Sequence, residues 1–225
     1  MTHCNNLDRS AEDYLMSEYL AYRIFNQIHN ISHRVRLVRV DYHDILGKYR
    51  SLSRYAFFIE KSEQLAERAD LQYMECDHLS MDQLNMDYYN LVSVFQFLIG
   101  NTDWSVMIPK NITPMAGEDS LNIYIAPYDF DLSFLVRPSY IEKNPGLNPD
   151  KSTAKIKAYC QSLDDFQAVI RVVTGKKAAI LKSVRKFELL GNRQKKHMLK
   201  FLEGRFKILE DPRRLPEFFE EHCYD

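Results

Sequence analysis

Ile99-Gly-Asn-Thr-Asp-Trp-Ser105 and Ala126-Pro-Tyr-Asp-Phe-Asp-Leu-Ser133 are the stretches that say most about this chain. Each places acidic residues in a turn beside an apolar run, and a Lys-Asn pair lies between them. Carboxylate and amide oxygens are the ligands that Mg²⁺ prefers. The two turns therefore predict a site for Mg²⁺ and a phosphate-bearing ligand, formed by Asp103, Asn111, Asp129 and Asp131.

The same residues have a simpler interpretation as turn chemistry. Asp and Asn are common in turns because their side chains accept hydrogen bonds from nearby backbone N–H groups. Asp129 and Asp131, by contrast, repel each other at this spacing unless a cation or hydrogen-bond donors compensate. At this level a metal site and a pair of structural turns both remain open.

The bulk composition is that of a globular protein, with 45% apolar and 27% charged residues and a net charge of -1. So small a net charge gives no reason to expect nucleic acid as a partner. The basic stretch 176–200 is interpreted as a solvated helical face, with phosphate or nucleic-acid binding as the alternative. Four widely spaced cysteines suggest reduced thiols rather than a zinc site.

Neither a membrane span nor an export signal is expected from this sequence. No apolar run approaches the roughly 20 residues that a spanning helix needs. The polar start of the chain lacks the apolar core of a signal peptide. A cytoplasmic location follows as an expectation for the chain as written, with export of a longer product left open.

Hydrophobic periodicity predicts helix, hairpin and helix in the first half of the chain. We expect a helix over about 10–29, two paired strands around 35–40 and 54–60, and a short polar helix over 62–68. A long buried helix over 80–98 should end at Gly100, and short strands should follow at 111–113 and 121–126. Beyond a linker-like stretch at 138–153 the chain is expected to be helical, over about 162–174, 176–190 and 192–209.

Taken together, these segments resemble the active-site segments of the CotH-type kinases, which share the protein-kinase-like fold with the HipA-type kinases. The resemblance rests on Asn101-Thr-Asp103, Lys110-Asn111 and Tyr128-Asp129-Phe-Asp131, and it covers roughly residues 7–137. It implies an α+β protein-kinase-like fold with a small antiparallel β element and a mainly helical C-terminal lobe. The implied layout is one domain: a partial small lobe over 1–70, a catalytic core over 71–137, a loop over 138–153 and a helical buttress over 154–225.

The resemblance also implies roles for individual residues. Asp103 would be the catalytic acid that orients the acceptor hydroxyl, Asn111 and Asp129 would hold Mg²⁺, and Asp131 would be a further ligand or a supporting group. ATP would be the nucleotide, and the acceptor would be a protein or a small molecule. Nucleotide contacts are expected near three further residues: Glu60 at the junction between lobes, Glu18 as partner of a phosphate-binding lysine, and Lys48 as a candidate phosphate contact.

Two departures from the family pattern keep other functions open. Asn111 lies eight positions after Asp103, three more than in ordinary protein kinases, so the loop between them must bulge. No glycine-rich loop and no lysine-bearing strand precede the first helix, so the small lobe is expected to be truncated. A catalytically inactive kinase-like binding domain is therefore the alternative to an active phosphotransferase, and a metal-dependent phosphoesterase is a third hypothesis.

Overall fold

A computed structural model describes residues 11–117, 122–137 and 154–222. The first helix, α1 (Ala11–Ile28), is followed by the strands β1 (Val35–Tyr42) and β2 (Leu52–Ile59). The strands form an antiparallel hairpin whose register pairs Val35 with Ile59. The predicted helix and hairpin are thus confirmed within the described residues.

Aromatic side chains attach α1 to the hairpin and to the rest of the molecule. Tyr19 and Tyr22 both meet Phe57 of β2 edge-on, with ring centroids 5.8 and 5.7 Å apart. Edge-to-face packing at this distance adds to the free energy gained from burial alone. On its next turn α1 presents Phe25, whose ring lies 4.4 Å from that of Phe95. The helix therefore bridges the hairpin and the central core.

A second β element lies beyond the hairpin. The short helix α2 (Ser62–Arg68) leads into β3 (Gln72–Tyr73), which the sequence pattern did not predict. β3 pairs with β4 (Ile112–Ala116), and β4 pairs with β5 (Tyr124–Pro127), all antiparallel. Residue 121, where the second of these strands was expected to begin, lies outside the described residues.

The helix expected over 80–98 is divided in two. A single 3₁₀ turn, Met81–Gln83, precedes α3 (Met86–Ile99), and Leu84 between them is extended. Asn85 caps α3 because its side chain accepts a hydrogen bond from the Tyr88 backbone N–H at 2.8 Å. Leu84 is buried and forms a bridge to Ile123, so a tertiary contact interrupts the helical pattern.

The prediction that the chain is helical after residue 153 is wrong at both ends of this region. β6 (Ile156–Tyr159) and β7 (Phe219–His222) form a parallel pair. The three helices between them are α4 (Gln167–Gly175), α5 (Lys177–Lys186) and α6 (Asn192–Leu209). In β6 the buried Ile156 and Ala158 alternate with half-buried neighbours, a period-two pattern too short to stand out from the helices.

One cluster of buried side chains extends from Leu15 to Leu215, so the C-terminal helices pack on the same core as α1 and α3. None of the helices in the described ranges combines the length and apolar character needed to cross a membrane. The expectation of reduced thiols fails at Cys160, which is in a disulfide, while Cys76 is free. The other two cysteines and the linker-like stretch 138–153 lie outside the described residues.

Candidate active site

The end of α3 fixes the position of the first acidic turn. Gly100 adopts the left-handed conformation (φ 67°) that ends many helices. The next residue, Asn101, is buried, and its amide nitrogen donates to the Gln96 side-chain oxygen at 3.0 Å. The Asn101 side-chain oxygen accepts the Asp103 backbone N–H at 3.0 Å. A buried amide at the end of a core helix therefore orients the turn that carries Asp103.

The loop between Asp103 and Asn111 closes on itself. Ser105 and Lys110 exchange two backbone hydrogen bonds, of 3.2 and 3.0 Å, across a tight turn. The tip of the turn is exposed, with Ile108 at 72%, whereas Val106 at its start is buried. The bulge required by the long spacing is therefore a small hairpin, and it returns Asn111 to Asp103.

Asp103 and Asn111 are in direct contact. The Asn111 side-chain amide donates to the Asp103 carboxylate oxygen Oδ2 at 3.1 Å and to the Asp103 backbone carbonyl at 2.8 Å. The Lys110 ammonium group forms an ion pair with Asp103 Oδ1. Because the Asn111 amide nitrogen makes both bonds, its side-chain oxygen stays available for another partner.

Strand pairing brings the second acidic turn to the first. The backbone N–H of Tyr128, just past β5, donates to the Asn111 carbonyl at 3.0 Å. Asp129 follows in a left-handed conformation (φ 59°), and its backbone N–H donates to the Tyr22 hydroxyl of α1 at 2.8 Å. A non-glycine residue at positive φ is held there by its surroundings, often at a functional site. Here α1 and β4 together determine where Asp129 lies.

The electrostatics of the second turn reflect crowded carboxylates. Partial burial raises the pKa of Asp129, and the negative charges of Asp131 and Asp103 raise it further. A hydrogen bond between the Asp129 and Asp131 side chains also raises the pKa of Asp129, while Lys110 lowers it. Three carboxyl groups and one ammonium group thus share this region, and a divalent cation would relieve their repulsion.

A fourth carboxyl group comes from α1. Glu18 is 5% exposed, and the nearby backbone N–H of Phe130 acts to lower its pKa. Burial raises the pKa of Glu18 to about 8, with smaller contributions from Asp131 and Asp129. Its oxygen Oε1 is buried without a hydrogen-bond partner, and no lysine or arginine pairs with Glu18 within the described residues. The structure places Glu18 beside the acidic turn, whereas the expected lysine is not among the described residues.

Of the two remaining residues near which nucleotide contacts are expected, Glu60 lies close to the second acidic turn, because the His33 ring contacts the Glu60 backbone carbonyl at 2.9 Å and meets the Tyr128 ring edge-on. The Glu60 carboxylate accepts two hydrogen bonds from the Arg68 guanidinium, both of 2.8 Å, and one from the Arg34 backbone N–H at 3.0 Å. Partial burial acts to raise the pKa of Glu60, but the hydrogen bonds from Arg68 and Arg34 outweigh burial and lower it. This carboxylate is occupied by structural partners.

Lys48 lies in the exposed turn between β1 and β2, where its backbone N–H donates to Asp44 at 2.6 Å. The opposite end of the hairpin adjoins β4, through the His33 ring that bonds Thr113 at 2.9 Å. Eight residues at ~3.3 Å each separate the two ends by about 26 Å. The structure therefore does not bring Lys48 to the acidic turns.

The side chains near Asp129 offer only part of the ligand set of a metal ion, which is how proteins commonly bind Mg²⁺. No group of three or more His, Cys, Asp or Glu side chains in the described ranges is arranged to hold a metal ion. Mg²⁺ is typically bound by one or two carboxylates, with phosphates and water completing its octahedron. Asp129, Asp131 and the free side-chain oxygen of Asn111 offer such a partial ligand set.

A small cavity of about 200 Å³ adjoins the turn that carries Asp103. Its lining includes Tyr89, Trp104 and Tyr159, and the Lys157 ammonium group lies 5.1 Å from the centre of the Trp104 ring. Trp104 follows Asp103 directly in the chain, so the cavity lies beside the turn that carries Asp103.

Sequence reasoning missed three contributors to the site. Lys110 was recognised only as part of a motif, although it pairs directly with Asp103. Asn101 was likewise given no role of its own, and a buried amide directly after a helix-ending glycine was the available signal. Tyr22 has no local signal, because its contact with Asp129 spans 107 residues.

Comparison with solved structures supports a kinase-like fold. The chain is similar to the crystal structure of a Helicobacter pylori proinflammatory kinase, CtkA, with a TM-score of 0.53 and 14% sequence identity. The match covers 93% of this chain and 85% of that one. No protein-family model matches the sequence, and no curated protein matches it. The comparison therefore supports the fold, and the CotH-type resemblance still rests on the sequence motifs.

Proposed function

We propose that this chain is a kinase-like phosphotransferase that binds ATP with Mg²⁺ and transfers a phosphoryl group to the hydroxyl of a protein or small molecule. The observation that carries the proposal is the contact between Asp103 and Asn111, closed by the turn at 105–110, with Asp129 on the adjacent strand end. Phosphoryl transfer needs mainly positioning and charge stabilisation, and these side chains have the chemistry for both. The kinase-like fold is consistent with this assignment.

Each side chain has a distinct role in the proposed reaction. The Asp103 carboxylate, which is 26% exposed, would accept a hydrogen bond from the acceptor hydroxyl and orient its oxygen toward the phosphorus. Lys110 would exchange its contact with Asp103 for one with a phosphate oxygen. Asn111 and Asp129 would hold Mg²⁺, with Asp131 supporting them. Mg²⁺, when bound, would supply positive charge that neutralises the phosphate oxygens.

Within kinase-like proteins, we assign the chain to the CotH type on its motifs. Asn101-Thr-Asp103, Lys110-Asn111 and Tyr128-Asp129-Phe-Asp131 occur in the order that this family shows. The proposal does not depend on the Glu60 carboxylate, which is bound to Arg68, or on Lys48, which is distant. Glu18 is kept as the residue that would anchor a cation beside the nucleotide.

One observation favours an alternative, a catalytically inactive kinase-like binding domain. Glu18 has a buried oxygen with no partner and a pKa raised to about 8 by burial. An active kinase would set a cation against this group, and none is present in the part of the chain that the structure describes. The alternative retains ligand binding at the cleft without transfer.

Nucleotide binding and phosphoryl transfer can be measured separately. Asp129→Ala is expected to abolish the Mg²⁺-dependent part of ATP binding in calorimetry, because it removes a metal ligand. Asp103→Ala should leave ATP binding intact and lower the rate of transfer by about 10²-fold or more. Asp164→Ala, at an exposed position far from the turns in sequence, controls for the loss of one carboxylate.

The outcomes discriminate between the two candidates. ATP binding that needs Asp129, with transfer that needs Asp103, supports the phosphotransferase. Mg²⁺-dependent ATP binding without transfer to any protein, peptide or small-molecule hydroxyl supports the inactive domain. Absence of thermal stabilisation by millimolar ATP and Mg²⁺ in the unmodified chain argues against an ATP-dependent phosphotransferase.

A further inference from the structure

A second, larger cavity lies in the helical part of the molecule, between the C-terminal half of α6 and the 3₁₀ turn Leu215–Phe218. Its volume is about 540 Å³, within the range of small-molecule sites. Two aromatic rings, Phe201 and Phe218, form part of its wall. The remainder is strongly basic, with Arg137, Lys200, Arg205, Lys207 and Arg214 among its lining residues.

The described surroundings of Lys200, Lys207 and Arg214 in this cavity are basic rather than acidic. No Asp or Glu is among its described lining residues. Elsewhere along α6 acidic residues do find partners, as in the ion pair of Glu203 with Arg185. By contrast, none of the carboxylates in the described ranges forms an ion pair with Lys200, Lys207 or Arg214. Although the whole chain is nearly neutral, the described lining of this cavity is strongly basic.

Arg205 forms a rigid part of the cavity. It is 4% exposed, and its guanidinium carbon lies 4.3, 5.2 and 5.8 Å from the ring centres of Phe97, Phe201 and Phe218. Stacking on rings is attractive for a cation and holds the planar group in one orientation. Burial lowers the pKa of Arg205 to about 10, so the group is charged at neutral pH.

Gly204 gives the cavity its depth. It lies inside the 18-residue helix α6, where glycine lowers helix stability relative to alanine. A Cβ atom added at Gly204 would meet nothing within 4 Å, so close packing does not require the glycine. Lys200 and Lys207 flank it on the same helix face, at spacings of four and three residues. Because Gly204 has no side chain, the helix surface between Lys200 and Lys207 is left open.

We propose that this cavity binds a small anionic ligand in which a phosphate group is attached to an aromatic or other flat apolar part. The phosphate would approach Lys200, Lys207 and Arg214, and the flat part would lie against Phe201 and Phe218. The volume and the single bare position at Gly204 favour a small molecule over an extended acidic peptide. This site is independent of the proposed nucleotide cleft.

Phenyl phosphate is a suitable probe because it joins a phosphate group to a flat ring. Its binding to the full chain can be compared with that of inorganic phosphate and of phenol by calorimetry or ligand-observed NMR. We expect phenyl phosphate to bind most tightly, inorganic phosphate at least fivefold more weakly, and phenol not measurably. Affinity for phenyl phosphate should fall as salt is added, because the attraction is electrostatic. Equal binding of phenol and phenyl phosphate, or no binding of either, would overturn the proposal.

Two sets of variants locate the binding. Lys200→Gln with Lys207→Gln should weaken phenyl phosphate at least tenfold, whereas Lys176→Gln with Lys182→Gln, at exposed positions outside the cavity, should not. Gly204→Leu should block binding while the melting temperature is kept or raised, and Gly204→Ala should raise the melting temperature with a smaller effect on binding. Asp129→Ala should leave phenyl phosphate binding unchanged. Loss of binding in that variant, or its retention in Gly204→Leu, would place the ligand outside this cavity.

Discussion

The protonation state of Glu18 depends on its burial beside two other carboxyl groups. Its position on α1 is ordinary in sequence, yet its side chain is buried beside Asp129 and Asp131, with one oxygen lacking a hydrogen bond. Burying a carboxylate without a partner favours its protonated form. In the ligand-free chain Glu18 is therefore largely neutral at pH 7, and a cation bound beside it would favour the charged form.

Replacing Glu18 by glutamine is expected to change how stability depends on pH. A group whose pKa rises from 4.5 to about 8 on folding contributes stability that is present below pH 4.5 and is lost as the pH rises through 8. Glu18→Gln removes this loss, so relative to the unmodified chain it should gain stability from pH 5 to pH 9. At ~1.4 kcal/mol per pKa unit the gain is about 3–5 kcal/mol.

Urea denaturation at pH 5 and pH 9 measures this difference. Glu67→Gln, an exposed glutamate of α2, is the control, and a pH effect common to both variants belongs to the change of net charge. If the difference in stability between Glu18→Gln and the unmodified chain were the same at pH 5 and at pH 9, Glu18 would ionise freely in the folded protein.

Individual site residues were predictable to different degrees. Asp103, Asn111, Asp129 and Asp131 could be named because acids beside apolar runs are a local pattern. Their convergence was a hypothesis from the order of the two turns. The contacts that produce it, the backbone bonds between Ser105 and Lys110 and the pairing of β4 with β5, were not readable from the sequence. Glu60 was placed at the junction between lobes, but its partner, Arg68, could not be identified from spacing alone.

Gly100 connects the core helix α3 to the turn that carries Asp103. It has φ 67°, and a Cβ atom here would lie 2.9 Å from the Phe134 Cβ and 2.7 Å from the tip of the Phe201 ring. The Phe201 ring can rotate away, whereas the Phe134 Cβ is attached directly to the backbone. The helix end therefore requires glycine for two reasons, backbone conformation and close approach.

Gly47 allows the two reasons to be separated. It has nearly the same φ, 66°, but nothing lies within 4 Å of a Cβ added there. Gly47→Ala should cost about 1–2 kcal/mol, the penalty of the left-handed conformation alone. Gly100→Ala should cost about 2–5 kcal/mol, because overpacking adds to that penalty. Equal losses for the two variants in urea denaturation would mean that the contact with Phe134 relaxes without cost.

Elements with strong local signals were predicted well, and those set by distant partners were not. α1, the β1–β2 hairpin, α2 and α6 follow from periodicity and turn residues. The break at Leu84 and the strand β6 depend on Ile123 and Phe219, which are distant in sequence. A four-residue strand such as β6 carries too few residues to establish a period of two before its partner is known.

At the scale of the whole molecule, Arg68 joins the first part of the chain to the rest. Besides its two bonds to Glu60, its guanidinium donates to the backbone carbonyls of Asn30 and Ser32, both at 3.0 Å. These carbonyls lie in the loop between α1 and β1, and Glu60 directly follows β2. One planar side chain of α2 thus holds the loop before β1 and the end of β2 in a fixed relation to each other.

Removal of Arg68 should loosen this junction without unfolding the core. The side chains of Arg68 and Glu60 are 21% and 12% exposed, so their pair is partly shielded and worth about 1–3 kcal/mol. Arg68→Ala should therefore speed amide hydrogen exchange in residues 29–34 and in β1 and β2 by about ten- to a hundredfold. Exchange in α3 should change little, because its contacts are with the central core. Arg68→Lys keeps the charge but not the planar guanidinium group. Its exchange rates in the hairpin should therefore lie between those of the unmodified chain and those of Arg68→Ala.

Exchange measured by mass spectrometry on peptides from the hairpin and from α3 separates local loosening from global destabilisation. A uniform increase across both elements would mean that Arg68 supports the fold as a whole rather than the junction. If Arg68→Lys exchanged like the unmodified chain, charge alone would account for the contact. The expected order, with hairpin peptides fastest in Arg68→Ala and α3 unchanged, would show that Arg68 stabilises the junction locally rather than the fold as a whole.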